Sequence, residues 1–142
     1  MGRDQVSEQM QEYLETIYRL EEDRLPAKTG EVAKHLAVAP ASVTDMLQRL
    51  ERAGLVTYEP YKGAVLTDEG RRLARQVLAR HRIMQAFLQE VCGMEHREAH
   101  DAACDMEHTI PKPLHDWMEA YLEERLGRKF DTNRKVREQI GA

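Results

Sequence analysis

The residues best suited to chemistry lie in one nonapeptide, His100-Asp101-Ala102-Ala103-Cys104-Asp105-Met106-Glu107-His108. In a helix, His100, Cys104, Glu107 and His108 fall at i, i+4, i+7 and i+8, along a single stripe. An ordinary amphipathic helix carries Leu or Val at those positions. Two imidazoles, a thiol and a carboxylate are instead the donors of a divalent-metal site. Imidazole and carboxylate suit Mn²⁺ and Fe²⁺, and the thiol moves the preference toward Fe²⁺ or Zn²⁺. Four donors from one helix do not complete a coordination sphere, so further ligands must come from other elements.

Those elements can be read from periodicity. Residues 7–24 form an amphipathic helix capped by Ser7, with Met10, Leu14, Ile17 and Tyr18 on its apolar stripe. Glu12 and Glu15 are an i, i+3 pair on this helix, common on a wet face but able to supply hard oxygen ligands. A short helix over 29–36, with Thr29 as its cap, is joined through Ala37-Val38-Ala39-Pro40 to a second over 41–53. Val43, Met46, Leu47 and Leu50 form the apolar face of the second helix, and Gly54 stops it. This is the layout of a helix-turn-helix. Strands over 55–58 and 64–67, around Glu59-Pro60-Tyr61-Lys62-Gly63, add the wing of a winged helix.

A long helix capped by Thr67 runs to about Cys92, basic early and apolar later. His81 sits on it between Arg80 and Arg82 and shares a face with Gln85; it is either exposed or a nitrogen ligand. The stripe helix spans 95–109. Pro111 and Pro113 separate it from a last amphipathic helix through Leu114, Trp117, Met118, Tyr121 and Leu122. The tail from Gly127 is polar and basic, with Phe130, Val136 and Ile140 as its anchors. His35, His96 and His115 read as surface or core histidines, and Cys92 as a small core residue.

The fold class is therefore mainly α: a winged helix-turn-helix domain over 1–70, followed by a helical metal-binding and dimerisation domain over 71–142. With 142 residues the chain can bury one core, divisible into two small lobes. Charged residues make up 32%, and no apolar run reaches the ~20 residues of a membrane span. The opening residues carry no secretory signal, so a cytoplasmic protein with two reduced cysteines is expected.

The formal net charge of −4 excludes a general nucleic-acid coat. Between Asp45 and Arg82, however, eight Lys and Arg face five acids, the local excess that phosphate contacts need. Ser42, Thr44, Asp45 and Gln48 are the candidates for the groove of double-stranded DNA, and Arg49, Tyr61 and Lys62 for its backbone. An enzyme built on a catalytic zinc is a rival class, but no His-Glu-x-x-His, glycine-rich phosphate loop or nucleophile motif is present. Other rivals are a winged-helix regulator sensing a small organic ligand and a metal-bearing structural dimer that does not touch DNA.

Over nearly its whole length the chain resembles the diphtheria-toxin-repressor family of metal-dependent repressors, including the manganese transport regulator branch. The resemblance is carried by Glu12 to Tyr18, Ser42-Val43-Thr44, Leu50 to Val56, Tyr61-Lys62-Gly63, Leu66 to Gly70, Arg80-His81 and Cys104-Asp105-Met106-Glu107-His108. It implies a homodimer that binds operator DNA, with one or two divalent ions per subunit as co-repressor. The ligands it implies are Glu12, Glu15, His81, Cys104, Glu107 and His108, with His81, Gln85 and His100 at a second site. Relatives of the manganese branch carry Asp and Glu where Glu12 and Cys104 stand here. The thiol is a feature of the iron branch, so the set is mixed. Gln85 replaces a carboxylate of the iron branch, Asp45 departs from the Gln or Lys of relatives, and the SH3-like domain of longer relatives is not expected. An ion joining the first helix to the central helices would restrict how the two lobes move.

Overall fold

A computed structural model of the chain describes residues 6–23 and 25–130. Val136 and Ile140, expected to anchor the tail, lie outside the described residues. Among those described, the order is α1 (Glu8–Glu21), α2 (Thr29–Leu36), α3 (Pro40–Arg52), β1 (Val56–Glu59), β2 (Gly63–Leu66), α4 (Asp68–Glu90), α5 (His96–Met106) and α6 (Lys112–Leu126). The fold is mainly helical, and no described helix is long and apolar enough to cross a membrane. The chain divides into two compact units, Met1–Val77 and Leu78–Ala142.

In the first unit, α1 starts where the Ser7 hydroxyl accepts the Met10 N–H at 3.1 Å, the cap its sequence promises. Of its buried residues Tyr13, Leu14, Thr16 and Ile17, the tyrosine, leucine and isoleucine join Val32, Val43, Leu47, Leu50 and Leu55 in one core. Thr29 is the first residue of α2 rather than its cap; Lys28 holds the cap position and makes no side-chain bond there. Pro40 opens α3, where its missing N–H costs nothing. The expected boundary at Ala41 is therefore one residue late.

β1 and β2 pair antiparallel with Val56 opposite Leu66 and Glu59 opposite Gly63. Ala27 adds a bridge to Ala64 through bonds of 2.9 and 2.8 Å. A Cβ at Gly63 would stand 2.3 Å from the Ala27 carbonyl oxygen, so only glycine admits that approach. The buried carboxylate of Glu21 ties three elements together. It accepts the Leu66 N–H at 2.8 Å and Arg71 Nη1 at 3.1 Å.

In the second unit, α5 buries only Ala99 and Ala103, which pack with Met84 and Leu88 of α4 and with Ile110 and Met118. Ile83, Ala86, Leu122 and Phe130 form a second cluster. Cys92 is exposed, against the expectation of a core residue. α4 stops at Glu90, so Cys92 falls in the following turn instead of on the helix's apolar face.

Candidate metal centre and nucleic-acid interface

Alanines at 99 and 103 let α5 approach α4 closely, because neither presents more than a methyl group. The next residues along the helix, His100 and Cys104, are thereby brought beside His81. One donor atom from each of His81, His100 and Cys104 lies within 4.8 Å of the others. His81 Nε2 is 3.1 Å from His100 Nδ1, and the two rings meet edge to face with centroids 4.8 Å apart. The Cys104 sulfur is 3.7 Å from His100 Nε2 and 3.9 Å from His81 Nδ1.

Glu107 reaches the same centre from another direction. The helix ends at Met106, short of the expected Thr109, but Glu107 keeps right-handed helical angles as the C-cap. Its buried carboxylate lies 2.7 Å from His81 Nδ1. The other oxygen is 3.3 Å from His108 Nε2. Arg80 holds the turn beyond by donating to the Ile110 carbonyl at 2.6 Å.

One proton arrangement satisfies these contacts. An ionised carboxylate only accepts, so His81 Nδ1 carries the proton and Nε2 is the acceptor. Without an ion, His100 Nδ1–H donates to His81 Nε2; ligation by both nitrogens moves that proton to His100 Nε2, on the side of the Cys104 sulfur. This set fits a divalent transition metal. Two nitrogens held at ~2.1 Å from one ion stand roughly 3 Å apart, as His81 and His100 do. Imidazole, thiolate and carboxylate are the donors such ions select.

Of the anticipated ligands, the second unit thus brings together His81, His100 and Cys104, with Glu107 on His81 and His108 on Glu107. In the first unit, Glu12 is exposed on α1, and Glu15 is paired with Arg19 at 2.7 Å. Gln85 is buried and its amide nitrogen meets Gln89 at 3.3 Å and His96 Nδ1 at 3.2 Å. The His96 partnership left no trace in the residue pattern, because it crosses a turn.

On the DNA-facing candidates, Ser42, Asp45, Gln48 and Arg49 are exposed along α3. The Thr44 hydroxyl instead donates to the Pro40 carbonyl at 3.2 Å. Thr44 and Gln48 share a groove with Tyr58, Tyr61 and Lys62 of the wing. Tyr61 is fully exposed at φ +68, a left-handed conformation that costs a non-glycine residue about 1–2 kcal/mol.

The early arginines of α4, counted toward the basic face, have other partners. Arg71 binds Glu21, Arg72 binds Glu69, and Arg75 donates to the Tyr18 hydroxyl at 3.2 Å. The Glu69 carboxyl is held below its ordinary range mainly by the hydrogen bond from Arg72. The basic surface is therefore narrower than the charge count implies.

Residues 5–64 match the family model described as the N-terminal DNA-binding domain of iron-dependent repressors. Residues 67–128 match the model for their metal-binding and dimerisation domain. A helix-turn-helix-type transcriptional regulator of Methanocaldococcus jannaschii is 36% identical over 119 residues, 83% of this chain and 95% of the relative. The helix-turn-helix-type transcriptional regulator MntR of Bacillus subtilis is 34% identical over 101 residues, 71% of this chain and 70% of its own. Among solved structures, a manganese-dependent transcriptional repressor in complex with manganese matches with a TM-score of 0.69 at 30% identity. That match covers 79% of this chain and 51% of the other, so the chain spans about half the length of that repressor.

Proposed function

This chain belongs to the iron-dependent repressor family, and on that premise we propose that it is a cytoplasmic, non-enzymatic repressor that binds operator DNA as a homodimer with Fe²⁺ or Mn²⁺ as co-repressor. The observation that carries the reading is the meeting of His81, His100 and Cys104 in a chain whose other unit presents an exposed polar face on α3.

His81, His100 and Cys104 would hold the ion, with Glu107 and His108 beside them. Bound there, the ion supplies a fixed positive cross-link between its donors. Glu107 orients the His81 ring and keeps its proton on Nδ1. Cys104 must release its thiol proton to ligate, so retention weakens in acid. Because the thiol is present, Fe²⁺ is held better than Mn²⁺ at equal concentration.

On the DNA side, Ser42, Asp45 and Gln48 meet base edges while Arg49, Tyr61 and Lys62 contact phosphates. An exposed aromatic face supports pairing with a second copy. Trp117 is 56% exposed and stacks on Tyr121 at 5.3 Å, with Phe87 beside both. A two-fold pair sets its α3 helices to half-sites about one helical turn apart, ~34 Å. Metal and DNA then strengthen each other's binding by one coupling free energy, of order 1–3 kcal/mol.

The deciding experiment selects an operator from random DNA in the presence of metal. Affinity is then measured in chelator, in anaerobic Fe²⁺, in Mn²⁺ and in Zn²⁺. Affinity at least five-fold higher with Fe²⁺ or Mn²⁺ than in chelator is expected. Equal affinity with and without chelator would overturn the reading.

A further inference from the structure

One turn of α6 carries a second group of donors away from His81, His100 and Cys104. A ligand atom from each of His115, Asp116 and Glu119 lies within 4.8 Å of the others. His115 and Glu119 are four residues apart, one above the other on the same face of the helix. Asp116 Oδ1 is 3.9 Å from His115 Nδ1, too far for a hydrogen bond. Two donors each ~2.1 Å from a shared ion stand between roughly 3 and 4.2 Å apart, so that spacing suits a bridging cation.

The three side chains are graded in burial, as a site entered from solvent would be. His115 is nine-tenths buried, Glu119 half-buried and Asp116 exposed. Charge points the same way. The Glu119 carboxyl is pushed up, first by burial and then by Glu123 and Asp116, against which Lys129 and Lys112 act in the opposite sense. Lys112 Nζ binds Asp116 Oδ2 at 2.8 Å. It occupies the carboxylate oxygen opposite the one nearest His115, so its ammonium does not take the place an ion would fill.

We propose that His115, Asp116 and Glu119 form a second divalent-cation site on α6, separate from the thiol-containing centre and taking a first-row transition ion through one imidazole and two carboxylates. Lacking sulfur, it discriminates less against Mn²⁺ than the thiol-containing centre does, and its imidazole disfavours Mg²⁺ and Ca²⁺.

The test uses the full chain, stripped with chelator and labelled at its histidine rings. On adding substoichiometric paramagnetic Mn²⁺, the His115 imidazole signals broaden, and a tenfold excess of Mg²⁺ does not restore them. In parallel, Mn²⁺ is counted by equilibrium dialysis against wild type and Glu119→Gln. This isosteric change on a partly exposed residue leaves the fold intact, which circular dichroism checks. The variant is expected to hold one equivalent fewer per chain, while His81 and His100 still broaden. Unbroadened His115 signals, or an unchanged count in a folded Glu119→Gln, would overturn the proposal.

Discussion

A carboxylate oxygen of Glu107 lies 2.7 Å from His81 Nδ1, and both side chains are almost wholly excluded from solvent, at 6% and 3% exposure. A buried carboxylate beside a buried imidazole fixes both the ring's orientation and its tautomer. Glu107→Gln retains an oxygen that can accept from Nδ1 but removes the charge. The change should weaken metal-dependent operator binding about 10- to 100-fold in metal concentration and leave helicity unaltered. A metal midpoint equal to wild type would show that Glu107 has no part in the centre.

Cys104 is the donor that separates soft from hard ions. Cys104→Glu should raise the operator affinity seen with Mn²⁺ relative to that seen with Fe²⁺. The measurement is the ratio of the two affinities in wild type and variant, taken anaerobically. An unchanged ratio would mean the sulfur, 3.7 Å from His100 Nε2, does not set selectivity.

Lys62 and Arg49 are both exposed, Lys62 in a solvated i, i+3 pair with Glu59 at 3.3 Å, while Arg71, Arg72 and Arg75 have partners within the first unit. Each phosphate contact contributes about 0.9 to the slope of log affinity against log salt. Lys62→Ala and Arg49→Ala should each lower that slope by about 1 and weaken all sequences alike. Gln48→Ala should instead relax discrimination at one base pair by about 1–3 kcal/mol. A Lys62→Ala slope identical to wild type would move the wing off the DNA.

Trp117 and Tyr121 present their stacked rings to solvent. Trp117→Glu places a charge where a partner's apolar surface is expected. Losses of about 2 kcal/mol or more are usual at such aromatic anchors. Sedimentation velocity at micromolar protein should report monomer for the variant and dimer for wild type. A variant that sediments as wild type would place the interface elsewhere.

Gly70, in the first turn of α4, has no room for a side chain: a Cβ there would stand 1.9 Å from the Leu55 carbonyl oxygen. Backbone cannot yield as a flexible side chain would. Gly70→Ala is expected to destabilise the chain by about 2–3 kcal/mol, read from the shift in urea midpoint. A midpoint unchanged from wild type would mean that α4 and the Leu55 backbone separate at little cost.

The amino-acid order by itself determined which segments are helices, where Gly54 and Pro40 punctuate them, and which residue types could ligate a metal, because 3.6-residue periodicity, caps and donor chemistry are local properties. It also determined that His100 and Cys104 share a face, since that needs only one helix. What tertiary structure decided were the meetings across elements. The contact of His81 with His100 depends on how closely the small residues Ala99 and Ala103 let α5 approach α4. That Arg71 serves Glu21 rather than a phosphate depends on α1 and β2 lying beside the start of α4. Cys92 became exposed because α4 ended two residues before it. The first two turn on packing distances between segments far apart in the chain, which composition and spacing do not encode.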